Sequence, residues 1–221
     1  MSEQPDQIRV SRGLKGVYFE RSDTTFIDGR AGELRYCGYS IHELAEHSTF
    51  EETAYLLLHG ELPSATELKL FDEELKVNRS LPDAIFDIIS ILKNAHPMEV
   101  LRTVVSALGA FDPAVSDNSP EAVLEKGIRL TSQVPIIVTA HHRIRSGLKP
   151  IPPNAELGHA ENFLYMLKGE APGADAARLM DLDMVLHAEH GSNASTFTAR
   201  VVTGTDANLH AAVTAAIAAL S

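Results

Sequence analysis

The sequence has 221 residues, 44% of them hydrophobic and 22% charged, with a formal net charge of -11 and no basic run. The length and apolar content suit one large folded domain and exclude compositional disorder, while the acidic balance argues against nucleic acid and anionic membranes as partners. One cysteine, Cys37, excludes an internal disulfide, and neither a signal core nor a membrane-length apolar run is present, so a cytoplasmic protein is expected.

Residues 1–12 are polar and read as a loose arm, ahead of a helical domain over 13–221. Residues 16–20 read as a short strand. Residues 24–27 and 33–36 flank the Asp28-Gly29 turn and form a small hairpin, because both turn residues tolerate positive φ. From residue 40 the pattern turns helical. Ser48 with Glu51 reads as a capping box before an apolar run that closes at Gly60, with Pro63 beyond. Ser64 with Glu67 repeats the device and opens a helix to about Asn78, whose apolar face is Leu68, Leu70, Phe71 and Leu75.

Pro82 suits the first turn of a helix over residues 83–95, and Pro97 opens another through Gly109. A polar loop follows. Pro120 opens a long helical stretch, which Pro135 should kink or break. Residues 146–158 form a Gly/Pro linker. Helices are then expected over 159–168, 175–187 and 193–202. The last segment, capped by Asp206 and running to Ser221, is alanine-rich and apolar nearly all round, the pattern of a buried helix. It has no glycine, cation or polar exit to satisfy its last carbonyls, so the natural chain is expected to continue. The fold class is mostly α with a small amino-terminal β element.

The densest polar cluster is HAEHGSNAST at 187–196. His187 and His190 are three apart, which on a helix places them on one face. Gly191 and Ser192 let the backbone turn before Asn193. Histidine donors and helix amino-terminal amides beside such a turn can grip a carboxylate or ketone oxygen. The same spacing also describes one core and one surface histidine, or two of the ligands of a zinc site, although no third ligand is obvious. His141 and His142, ahead of Arg143 and Arg145, read as a helix end. His159 reads as a capping or interface residue. His42, His47, His59, His96 and His210 read as structural. Ser195 and Cys37 lack a nucleophile elbow and a base partner, and no glycine-rich phosphate loop is present.

Several segments in order resemble the citrate synthases, including 2-methylcitrate synthases: GLKGV at 13–17, IDGRAGELRY at 27–36, GYSI at 38–41 with ELA at 43–45, FEETAYLLLHGELP at 50–63, AENFLYML at 160–167 and the 187–196 cluster. Cys37 departs from the family pattern, where many members have arginine. The resemblance covers roughly the first three-fifths of a family member. It implies a multi-helical citrate synthase-like fold, here incomplete at its carboxyl end, and a homodimer or higher oligomer. It also implies condensation of oxaloacetate with acetyl-CoA and hydrolysis of the thioester, a tricarboxylic acid cycle reaction. Coenzyme A thioester enters as substrate, and no metal or cofactor is implied. His190 matches the family's oxaloacetate-binding histidine, His187 its supporting histidine and Asn193 a neighbouring polar contact. The acid–base groups would lie beyond Ser221, so this chain by itself is expected to be inactive. Alternatives are propionyl-CoA as donor, a non-catalytic assembly module and a histidine-dependent metal hydrolase.

Overall fold

The computed structural model describes Gly16 and residues 21–221. The expected arm over 1–12 and the strand over 16–20 lie outside the described residues, apart from Gly16.

The described residues open with a three-stranded antiparallel sheet in the order β1-β2-β3: β1 Thr25–Asp28, β2 Glu33–Tyr36 and β3 Tyr39–Ser40. Register pairs Thr25 with Tyr36 and Asp28 with Glu33. The Asp28 carboxylate accepts from the amides of Arg30 and Ala31, which sets the first turn. The second turn pairs Tyr36 with Tyr39 across Cys37 and Gly38, both at positive φ. A two-residue hairpin needs that handedness, and it is unusual for a cysteine to supply it.

Ten helices follow among the described residues: α1 Ile41–His47, α2 Phe50–His59, α3 Ala65–Val77, α4 Asp83–Ile91, α5 Pro97–Phe111, α6 Pro120–Arg145, α7 His159–Lys168, α8 Ala174–Leu186, α9 Ala194–Thr203 and α10 Leu209–Leu220. The capping box of α2 is shifted by one residue from the expected pair. Thr49, not Ser48, accepts from the Glu52 amide, and Glu52 returns the bond to Thr49. Ser48 instead closes α1. The Ser64–Glu67 box of α3 is as expected. α4 stops at Ile91 rather than near Ala95, because the next residues turn into the His96 cap of α5.

Pro135 does not break α6, which runs 26 residues through it. The helix carries large buried contacts on both sides of the proline, including Ile128, Leu130, Ile136, Ile137 and Ala140. Each large apolar side chain so buried contributes about 1.5–3 kcal/mol, enough to outweigh one lost backbone bond. The final helix also differs from expectation. Asn208, not Asp206, caps it by accepting from the Ala211 amide. Of its residues only His210 and Ala212 are buried, and its last turn is exposed.

Three apolar clusters hold the helices together. The largest joins Ile85 and Ile89 of α4, Val100, Val104, Val105 and Leu108 of α5, and Leu130, Ile137 and Ala140 of α6, with Leu209, Val213 and Ile217 of α10 laid against it. A second joins Tyr36, Ile41, Leu44, Leu56 and Val185, and so ties the sheet to α1, α2 and α8. The third joins α2, α3 and α6 through Ala54, Phe71, Leu75 and Ile128. Buried Lys126 donates to the carbonyls of Val115 and Asp117 and pins the loop between α5 and α6. No helix of the described residues is long and apolar enough to cross a membrane.

Candidate functional site

The 187–196 cluster forms the connection between α8 and α9. His187 is the last cap of α8, and His190 lies in the following loop. The two histidines therefore do not share a helix face, contrary to the spacing argument. The reason is a tertiary contact that ends α8 early. The hydroxyl of fully buried Tyr36 on β2 lies 3.1 Å from the Leu186 carbonyl, 3.0 Å from the Glu189 carbonyl and 3.3 Å from the Glu189 amide. Carbonyls that would continue the helix are thus met by a side chain from the sheet. Burial, the largest cause, raises the Tyr36 pKa above the ordinary phenol range. The nearby Glu189 charge adds to that, and the hydrogen bond with the Glu189 backbone opposes it. The hydroxyl therefore stays a donor.

Glu189 fastens the same loop from within. Its carboxylate accepts from the Gly191 amide at 2.5 Å and from the Thr25 hydroxyl of β1. Gly191 turns the chain at φ 66°, and a Cβ there would come within 3.1 Å of the Ile27 side chain. A left-handed turn pressed against β1 leaves room only for glycine. The Asn193 amide then reaches back to the Gly191 carbonyl at 2.9 Å.

On this frame His187 donates from Nδ1 to the Asp183 carbonyl at 2.8 Å, which leaves Nε2 outward; its side chain is 76% exposed. His190 is exposed and has no hydrogen-bond or ion-pair partner among the described residues. Asn193 caps α9: its Oδ1 accepts from the Thr196 amide at 2.9 Å and the Ser195 hydroxyl at 2.6 Å. Its side-chain NH2 remains available as a donor. The three residues are therefore brought onto one exposed turn, beside the amino-terminal amides of α9. That arrangement offers donors to a small anion or a polarised ketone. Tyr36 and Glu189 shape the turn and were not singled out in sequence. Tyr36 is about 150 residues away in the chain, and no local pattern marks such a pairing.

The remaining histidines behave differently. His141 is buried and its Nε2 lies 3.3 Å from the Lys93 carbonyl. His159 is the first residue of α7 rather than its cap, which is Gly158; its own amide donates to Glu51 at 2.7 Å. Among the described residues no group of three or more His, Cys, Asp or Glu side chains is placed to hold a metal ion.

Residues 13–221 match the family profile described as citrate synthase, C-terminal domain. A citrate synthase of Deinococcus radiodurans is 46% identical over 96% of this chain and 56% of its own length. A 2-methylcitrate synthase of Mycobacterium tuberculosis is 40% identical over 100% of this chain and 55% of its own. The crystal structure of a citrate synthase from Pyrobaculum aerophilum superposes with a TM-score of 0.90 at 41% identity, over 94% of this chain and 54% of that one. A citrate synthase from Thermoplasma acidophilum, solved as a ternary complex with carboxymethyl coenzyme A and oxaloacetate, superposes with a TM-score of 0.91 at 27% identity, over 96% of this chain and 56% of that one. The chain thus spans about half the length of the relatives it matches. With a profile match over nearly the whole sequence and a fold shared with solved members, this chain belongs to the citrate synthase family.

Proposed function

We propose that this chain supplies the oxaloacetate-binding face of a citrate synthase, which condenses oxaloacetate with acetyl-CoA in the tricarboxylic acid cycle. The observation that carries the reading is His190: an exposed imidazole without a partner among the described residues, on a turn that Tyr36 and Glu189 hold in place. In this reading His190 donates to an oxygen of the ketoacid, and the Asn193 NH2 group and the α9 amides complement its negative charge. His187, oriented by the Asp183 carbonyl, supports the ring beside it. The groups that remove the methyl proton and stabilise the enolate come from outside these 221 residues, so the isolated chain binds the ketoacid without turning it over. The whole protein is proposed to be a cytoplasmic homodimer, with coenzyme A thioester as second substrate and no resident metal or cofactor.

The test is oxaloacetate binding by titration calorimetry to the wild-type chain and to His190→Ala. Loss of a charge-assisted hydrogen bond of about 1.5–3 kcal/mol weakens binding by roughly 10- to 150-fold. Equal affinity in the variant would remove His190 from the site. The relative named 2-methylcitrate synthase motivates a parallel assay of the whole enzyme with propionyl-CoA; a preference for that donor would replace acetyl-CoA in the proposal.

A further inference from the structure

The oxaloacetate turn has two flanks, and they are held differently. The α8 flank is tied to the sheet by Tyr36 and Glu189. The α9 flank has no buried residue of its own and packs chiefly on α10, which in turn seats on α5 and α6. The separation of His190 from Asn193 and the α9 amides therefore depends on where the α9–α10 hairpin sits.

That seat has one buried polar side chain from α10, His210, which is 3% exposed. It fits against Gly109 of α5, where a Cβ would come within 3.1 Å of the His210 Cβ. A glycine inside a helix costs about 1 kcal/mol relative to alanine, and the close approach of the ring accounts for its presence. Among the described residues the ring's Nδ1 has no hydrogen-bond partner, and it lies 3.9 Å from Oδ2 of buried Asp112. The same oxygen accepts from Arg129 of α6 at 3.1 Å. A cavity of about 350 Å³, lined by Ser80, Pro82, Phe111, Arg129 and Gln133, opens onto this group. At the outer end of the hairpin, Asn118 donates to the carbonyl of Asp206 at 2.9 Å.

Resting on the oxaloacetate reading, we propose that His210 is a positioning residue: its imidazole, set against Gly109 and facing the Asp112–Arg129 pair, fixes the α9–α10 hairpin and so the Asn193 side of the substrate turn. Packing alone would be satisfied by a leucine of similar bulk. A polar group facing Asp112 is what an asparagine restores, because its amide nitrogen occupies the place of Nδ1. The charged groups bearing on the ring are Asp112, which favours its protonation, and Arg129 and Lys126, which oppose it; burial opposes it most and lowers its pKa. Acid therefore loosens the seat in the wild type.

The test measures amide hydrogen exchange over 194–203 and 209–217 in the wild-type chain, His210→Leu and His210→Asn, at about pH 7.5 and about pH 5.5. His210→Leu is expected to exchange roughly tenfold faster in the hairpin, His210→Asn to stay near wild type and α4 to be unchanged. With each rate referred to the intrinsic, base-catalysed rate at the same pH, acid should lower protection of the hairpin in the wild type but not in His210→Asn. Wild-type protection in His210→Leu would overturn the proposal. If that variant does not fold, Gly109→Ala, which displaces the ring, is expected to loosen the same amides, and unchanged protection there overturns it equally. Oxaloacetate titration separates the two readings. Weaker binding in both His190→Ala and His210→Leu supports the positioning role. Weaker binding in His190→Ala alone overturns it. No effect of His190→Ala defeats the oxaloacetate reading, while hydrogen exchange still decides whether His210 holds the seat.

Discussion

Acid should destabilise this protein through His159. The ring is 4% exposed at the start of α7, packs against Phe50 with centroids 4.7 Å apart and the rings tilted by 34°, and its Nδ1 has no hydrogen-bond partner among the described residues. Burial is the largest influence on it, the positive charge of Arg79 adds to burial, and Asp72 opposes both; the pKa falls from 6.5 to about 4. In the unfolded chain the ring recovers an ordinary value of about 6.5, so as pH drops the unfolded chain takes up the proton first. Stability from the neutral ring is complete above that value and is lost as pH falls toward 4. The differential is about 2 kcal/mol near pH 5 and about 3 kcal/mol once the folded form is also protonated. Urea unfolding followed by circular dichroism, at about pH 7 and about pH 5, measures it in the wild type and in His159→Phe, which keeps a ring against Phe50 and removes the titration. The variant should lose about 2 kcal/mol less than the wild type between the two pH values. Equal losses would refute the reasoning.

Two further substitutions probe the frame of the site. Tyr36→Phe removes the hydroxyl that meets the Leu186 and Glu189 carbonyls and should cost about 1–3 kcal/mol, with faster hydrogen exchange over 187–193 than elsewhere. Leu56→Ala, at a fully buried position shared by α2 and the sheet cluster, should cost about 2–5 kcal/mol in urea unfolding, and more than Leu57→Ala, whose side chain is only partly buried.

Much of the local structure was legible from neighbouring residues alone. The hairpin around Asp28, the Ser64–Glu67 box, the stop at Gly60 and the starts at Pro97 and Pro120 involve groups within four residues of one another, and each is present, although the left-handed residue of the first turn is Gly32 rather than Asp28 or Gly29. Where two local signals competed, the sequence was less decisive. Ser48 and Thr49 both precede a glutamate three residues later, and the bonds made by Thr49 and Glu52 select the second pair.

Tertiary contacts decided the rest. Pro135 reads as a break, but the apolar contacts along α6 keep the helix continuous. His187 and His190 read as one helix face, but a tyrosine about 150 residues earlier ends the helix between them and turns His190 outward. The sequence by itself determined the family, the helical class and the residue types of the candidate site, because motifs and capping signals act over short spans of chain. Only the tertiary structure decided how those residues face one another, because Tyr36, Asp112 and Glu51 act on partners that no local period connects to them.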